Sequence, residues 1–591
     1  MTSGHIRLDF VTSRQRGWWV AAAGAATLVL VTAVLAVVAT PQPRVWAARV
    51  AQRLPVLGRL GMRAEQAAPP SRVVIAIDTD HPRRAISPLI YGVSVASPEG
   101  LAATGARLNR WGGNPNSRYN WAHGSAWNSA RDWYFANYGE RPTAPSATAD
   151  SFVNGNRAAG VQTLLTIPAL GWVARNADNE TRSVDVPADG GPPIGAGSES
   201  IAGYDPSANR ALTSVRSLAR RPPASAEASD SGSEQVYQDD WVRHLVDRFG
   251  SATAGGVAFY AIDNEPDLWP VTHTDVHPVQ PSYDDTLSTF IEYADAVKDA
   301  DPGAQVLGPT LSGWTSYFDS ARDRGGDNFR THADRQAHGD MPFLPWWLDQ
   351  VRQHDQRQGR RSLDFLDVHY YPQAQGVFGG GTDEATNRLR LRSTRSLWDA
   401  SYVDESWINQ PIGLIPRLRD WIDQYYPGTR LAINEWNWGA DQTMNGALAI
   451  ADVLGIFGRE GVDMAAYWTF PPPGSPGAQA FAMYTNYDAQ GHGFGDQVLA
   501  ATSDHEADVS AYGSIDSRTG DLFIMAINKR TDADLPTTLQ LSGPARGQVH
   551  LFRYAGGAAI DDLGASALSD TQLLLGLPSS SITLVRFEHS P

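Results

Sequence analysis

Eight short β-prone runs, most of them separated by helical patterns, constrain the fold of this chain more than any other feature. They are Leu89–Val95, Ala106–Gly113, Gln162–Ile167, Val257–Ile262, Gln305–Thr310, Leu363–Tyr371, Arg430–Glu435 and Met464–Phe470. Between them Trp241, Leu245, Val246 and Phe249 share a helical face, and Phe290, Tyr293, Ala294 and Val297 share another at i, i+3, i+4 and i+7. Ile415, Leu418, Ile422 and Tyr425 make a third stripe, which stops at Pro427-Gly428. Alternating strands and helices imply a parallel sheet, and eight strands imply a closed barrel.

From about Gln497 the helical pattern vanishes. Val509–Ile515, Leu522–Asn528, Thr537–Leu541, Val549–Tyr554 and Ser581–Phe587 are β-rich runs separated by turn signals such as Thr519-Gly-Asp521 and Ala555-Gly-Gly557. The expected fold class is therefore α/β: a (β/α)8 TIM barrel over residues 85–496, then a C-terminal antiparallel β-sandwich over 497–591, which a strand within 73–84 returns to join. Residues 176–236, rich in Ser, Ala, Gly and Pro, interrupt the barrel after its third strand and read as a partly disordered insertion.

The N-terminus adds a separate expectation. Trp18 to Val38 is a 21-residue apolar stretch preceded by Arg7, Arg14 and Arg16. Residues 1–40 are a signal anchor or a signal peptide, and the length favours an uncleaved transmembrane anchor. Residues 41–72 form a linker. Basic residues flank both ends of the apolar stretch (Arg44, Arg49 and Arg53 follow it), so charge bias sets no orientation. Either reading places the bulk of the chain outside the cytoplasm, anchored to a membrane or secreted.

The formal charge of −16 argues against a nucleic-acid partner, because a polyanion needs a basic footprint. The absence of Cys excludes disulfides and thiolate metal sites. No His-Glu-x-x-His pattern occurs; Asp239-Asp240 and Asp284-Asp285 read as helix starts. A structural Ca2+ on loop oxygens stays open, at no position the sequence marks, and the oligomeric state is not legible.

Two strand ends carry the chemistry. Strand four runs into Asp263-Asn-Glu-Pro266, and strand seven into Asn434-Glu-Trp-Asn437. Carboxylates at the C-terminal ends of barrel strands lie where such folds keep their active sites. Either glutamate alone reads equally well as a strand-end charge in a salt bridge. Both together, each after Asn and 170 residues apart, suggest an acid/base (Glu265) and a nucleophile (Glu435) on one glycosidic bond.

Around them, Arg110 is placed to orient Glu435, Asn264 to bond a sugar 2-hydroxyl, and Tyr370 or Tyr371 to bond the nucleophile. His369 ends the same strand, although a lone His there is more often structural. Trp436, Trp438, Trp468 and Trp269 are candidate sugar-stacking platforms, with at least one of them expected to be core.

Together Arg110-Trp-Gly-Gly-Asn-Pro-Asn-Ser-Arg-Tyr-Asn-Trp121, Asp263-Asn-Glu-Pro266, Asp367-Val-His-Tyr-Tyr-Pro372 and Asn434-Glu-Trp-Asn437 resemble glycoside hydrolase family 44 from about Val73 to the C-terminus. The resemblance implies a (β/α)8 barrel with a β-sandwich and a retaining, endo-acting hydrolase of β-1,4-glucans such as cellulose derivatives and xyloglucan. It implies no catalytic cofactor, and it maps the family's acid/base onto Glu265 and its nucleophile onto Glu435. The N-terminal apolar segment and the 176–236 insertion depart from the family's pattern. They leave open another β-glycan (xylan, mannan, an envelope polysaccharide) or a non-catalytic surface carbohydrate-binding protein.

Overall fold

The computed structural model describes residues 68–589, apart from 82–83, 134, 141–143, 180–203, 206–209, 212, 223–233, 544–546 and 569–570. The expected signal anchor and nearly all of the expected linker lie outside the described residues. Among the described residues no helix is long and apolar enough to cross a membrane.

Eight parallel strands close into a barrel in the order the sequence runs: Gly92–Ser94, Leu108–Trp111, Gln162–Ile167, Phe259–Ile262, Gln305–Leu311, Phe365–Tyr370, Arg430–Trp436 and Met464–Tyr467. These are strands one to eight below. Side chains alternate across each strand. Leu108, Leu164, Phe259, Ala261, Leu307, Phe365, Ala432 and Met464 point inward and fill the barrel floor as one cluster. Leu165, Tyr260, Ile262, Val306, Leu366, Leu431 and Ile433 point outward and pack with the helices. The filled floor leaves only the C-terminal mouth available for a site.

The expected helices form where their apolar stripes lie. Helix Gln238–Phe249 carries Asp239 and Asp240 in its first turn. Helix Tyr283–Ala300 opens with a capping box between Ser282 and Asp285. Both acidic pairs thus start helices, as their sequence context implied.

The C-terminal region is strand-rich: eight strands from it and Val73–Asp78 make nine in one hydrogen-bonded order. Val73–Asp78 does return to it, lying between Gln497–Ser503 and Leu535–Leu541. It pairs antiparallel with the first but parallel with the second, which breaks the expected all-antiparallel pattern. Val73, Ile75 and Ile77 share a buried core with Leu539, Ile524, Ala526 and Val585. Two further strands, Asp561–Leu568 and Gln572–Leu577, form the two edges of the sheet. An edge strand need bury little, and Asp561–Leu568 carries no clear apolar run; Leu573-Leu-Leu575 in the other was a signal that sequence reading passed over.

The described parts of the 176–236 insertion include strands of a small three-stranded sheet. Ser214–Leu218 pairs antiparallel with Trp172–Ala174 and parallel with Gln235–Tyr237. Arg118, fully buried in the loop after strand two, pins this small sheet to the barrel mouth. It donates to the Asp275 carboxylate at 3.0 and 3.2 Å and to Ser214 Oγ at 2.5 Å.

Candidate active site

Strand four ends abruptly. Asp263 and Glu265 adopt left-handed backbone, φ 61° and 45°, which costs about 1–3 kcal/mol per non-glycine residue and persists only where surroundings enforce it. Here Asp263 Oδ2 accepts the Ala169 and Leu170 amides at 2.5 and 2.6 Å, and the Glu265 amide donates to Thr310 O at 3.0 Å. Asp267 continues the lock, accepting from Ser312 N and from the Ser312 and Ser316 hydroxyls. Burial pushes the Asp263 carboxyl up to about 6, against the Ser117 hydroxyl and three backbone amides that lower it.

Strand seven reaches the same point by a different device. Its pairing with strand six runs Val368 to Ile433 and then His369 to Glu435, so Asn434 is an extra residue without an opposite number. Ala432 and Asn434 point inward by ordinary alternation. The bulge then turns Glu435 inward as well and sends Trp436 outward. Asn434 is held by the Asp367 carboxylate, its Nδ2 donating at 2.5 Å.

The two glutamates meet above this floor. Glu265, His369 and Glu435 each present an atom within 4.8 Å of the other two. His369 Nδ1 lies 3.0 Å from Glu265 Oε1 and 3.3 Å from Glu435 Oε2. Arg110 Nη1 donates to Glu435 Oε1 at 2.5 Å, and its Nη2 donates to Asn264 Oδ1 at 2.8 Å. The Tyr371 hydroxyl donates to Glu435 Oε2 at 2.8 Å. Trp468 is half-buried, its ring 5.7 Å from the Arg110 guanidinium carbon.

This surrounding splits the two carboxyls. Burial raises Glu265, and the negative charge of Glu435 raises it further, beyond what His369 takes back. Burial also pushes Glu435 up. The His369 and Arg110 charges and the Arg110 and Tyr371 hydrogen bonds outweigh it, and Glu435 ends below the ordinary range. Burial lowers His369, but its two carboxylate neighbours prevail and raise it. The two carboxyls are thus pushed apart in acidity, Glu265 toward the acid and Glu435 toward the anion.

Seven residues named from sequence converge here: Glu265, Glu435, Arg110, Asn264, His369, Tyr371 and Trp468. Four do not, and for the first two the bulge and strand alternation explain why. Tyr370 points out of the barrel, 2% exposed, with its ring 5.6 Å from Trp438. Trp436 is fully buried against Phe457, Tyr467 and Phe481. Neither can reach a substrate. Trp438 is likewise core, and Trp269 is buried with its indole N–H bonded to Asn264 O.

Sequence reasoning passed over Asn114, whose Oδ1 accepts from Asn264 Nδ2 at 3.3 Å. Its place in the Arg-Trp-Gly-Gly-Asn stretch was the available signal. It also passed over Tyr317, whose hydroxyl donates to the His369 carbonyl, because no pattern links strand five's loop to strand six.

Among the described residues, Glu265, His369 and Glu435 are the group of acidic and imidazole side chains whose donor atoms converge as metal ligands would. The Arg110 cation already occupies Glu435 there, so the trio is furnished for acid–base work rather than for a second cation.

Comparison with known proteins agrees with this geometry. The sequence model of glycoside hydrolase family 44 matches residues 126–374. Endoglucanase A of Paenibacillus lautus is 33% identical over 546 residues, covering 88% of this chain and 73% of that protein. The crystal structure of CelM2, a bifunctional glucanase-xylanase from a metagenome library, superposes with a TM-score of 0.78 at 39% identity, covering 88% of this chain and 99% of that one. A Paenibacillus polymyxa xyloglucanase of family 44, solved with xyloglucan, gives 0.75 at 27% identity, covering 88% and 100%. The chain is a glycoside hydrolase and belongs to glycoside hydrolase family 44.

Proposed function

We propose that Glu435 is the nucleophile and Glu265 the acid/base of a retaining, endo-acting hydrolase of β-1,4-glucans. The observation that carries this is the pair of carboxylates with oxygens within 4.8 Å and acidities pushed in opposite directions. Retaining enzymes hold their carboxyls about 5–5.5 Å apart, whereas inverting enzymes leave about 6.5–9.5 Å for a water. The Glu435 carboxylate attacks the anomeric carbon while Glu265 gives its proton to the departing glycosidic oxygen. A glycosyl ester on Glu435 results. Esterification removes the negative charge that helped raise Glu265, so Glu265 holds a proton less tightly and stands ionised, ready to act as the base. It then takes a proton from water, whose oxygen displaces Glu435 from the sugar. The steps use only the two carboxyls and water, so no cofactor is required.

Asn264 faces the same space with its Oδ1 held by Arg110 and one amide N–H given to Asn114, which leaves its second N–H for a sugar 2-hydroxyl. Trp468 is the remaining candidate of the four tryptophans for a stacking platform, since the other three are buried. The activities named for the relatives support β-1,4-glucan, including xyloglucan, as substrate. Xylan is a second reading, favoured by the glucanase-xylanase description of the 39% identical relative. The apolar stretch at 18–38 supports an extracytoplasmic enzyme held at a membrane, which fractionation without detergent would test.

Reducing-sugar release from carboxymethylcellulose, xyloglucan, xylan and glucomannan tests the assignment, with Glu265→Gln and Glu435→Gln as controls. Release from the glucans that vanishes in both variants is the expected result. Release that survives in either would overturn the role given to that glutamate.

A further inference from the structure

Arg390 lies outside the chemistry just described, yet it is among the largest fully buried side chains of the molecule. It sits on helix Glu384–Ser393, and among the described residues no carboxylate forms an ion pair with it. Its five N–H groups instead reach five neutral acceptors. Nε donates to Trp438 O at 2.9 Å, and Nη1 to Asn387 Oδ1 and Asn445 Oδ1 at 2.9 and 2.7 Å. Nη2 donates to Val377 O and Gly381 O at 3.0 and 2.7 Å. An unpaired buried cation is costly unless every donor is satisfied, as all are here.

What the fork joins is informative. Val377 and Gly381 belong to the loop after strand six. Trp438 lies three residues past Glu435 on the loop after strand seven. The two loops touch so closely that a Cβ on Gly439 would sit 2.4 Å from Val377 O and 2.6 Å from Phe378 O. Between Val377 and Gly381, the Phe378 ring packs 4.7 Å from the Tyr371 ring. Tyr371 in turn donates to Glu435.

We infer that Arg390 is a positioning residue for the nucleophile. By clamping both loops it fixes, through Phe378, the orientation in which Tyr371 donates to Glu435. It touches neither substrate nor reacting atoms. The inference rests on Glu435 being the nucleophile. Besides Tyr371, the charged and titratable groups facing Glu435 are Arg110 from strand two, Glu265 from the end of strand four and His369 from strand six. None of them is held by Arg390.

The test is the pH profile of kcat/KM for the full chain. Its acid limb reports the free enzyme's nucleophile. Tyr371→Phe deletes a hydrogen bond to the charged form, so the acid limb should rise by about half a unit to one unit. Arg390→Lys keeps the charge but loses the fork, and should move the acid limb the same way with a fall in kcat of about tenfold. Phe378→Ala trims a half-buried ring and leaves the clamp, so it serves if Arg390→Lys does not fold. In a Tyr371→Phe background neither change should move the limb further. Unmoved limbs in folded Phe378→Ala and Arg390→Lys, or equal shifts with Tyr371→Phe already present, would overturn the inference. An acid limb unmoved by Tyr371→Phe itself would instead count against Glu435 as nucleophile.

Discussion

His369 stands directly opposite Glu435 across strands six and seven, with Nδ1 3.3 Å from Glu435 Oε2. The same nitrogen lies 3.0 Å from Glu265, so one buried imidazole faces both carboxyls. Its charge lowers the pKa of both glutamates. Replacing it by Ala should therefore raise both. The acid limb of the activity profile, set by Glu435, and the basic limb, set by Glu265, should both move to higher pH. A displacement of about one unit is expected for a neighbouring charge at this range. A pH series of kcat/KM decides it, and an unmoved basic limb would show that His369 does not tune Glu265.

The two glutamates should be separable by stereochemistry. Glu435→Ala should lower hydrolysis by roughly 10⁴-fold or more. Azide offered to this variant enters from the face Glu435 vacates and inverts the anomeric centre once, giving an α-glycosyl azide. With Glu265→Ala and an activated substrate, azide attacks the glycosyl ester from the other face, giving the β product. NMR of the products checks the assignment, and exchanged stereochemistry would reverse it.

Trp468 owes its place to Gly113. The Gly113 φ is 92°, and a Cβ there would lie 2.5 Å from the Trp468 ring. Gly113→Ala should cost about 1–3 kcal/mol through strain and the displaced ring. KM for glucan should rise more than kcat falls, if Trp468 stacks a sugar. Denaturant unfolding and steady-state kinetics together read both effects.

Asp452 joins the barrel to the strand-rich domain. On helix Met444–Glu460 it is 1% exposed and accepts from Thr394 Oγ1 and Tyr512 OH, each at 2.7 Å, with Lys529 Nζ at 3.1 Å. Burial alone would raise its carboxyl, but Lys529 and the hydroxyl donors prevail and lower it. A depressed folded value means stability that is present above the unfolded Asp range and lost as pH falls through the folded value. Asp452→Ala strands the largely buried Lys529 ammonium and should cost up to about 3 kcal/mol at neutral pH. The deficit should shrink on acidification. A pH-independent deficit would mean that the ion pair contributes nothing.

Much of this was written in the linear pattern. Eight apolar runs separated by helical stripes determine a parallel barrel, because each run must bury both faces and each stripe must cover one. Asn-Glu at two strand ends marks the catalytic pair, and a Gly-Gly-Asn turn after Arg110 marks the wall beside it. Position along the chain sufficed for these, since a strand's C-terminal end is at the mouth wherever its neighbours lie.

Which way a side chain points at that mouth was decided only by tertiary structure. Counting alternate residues from Ala432 sends Trp436 inward and Glu435 outward. The unpaired Asn434 reverses both, because strand seven must fit an extra residue against strand six. Tyr370 and Tyr371 are equal candidates in sequence, yet only the second has left the strand and turned toward Glu435. The split in acidity between the glutamates was also unreadable. It depends on Arg110 and Tyr371 reaching Glu435 while, among the described residues, His369 is the side chain bonded to Glu265, and those distances exist only once the barrel has closed.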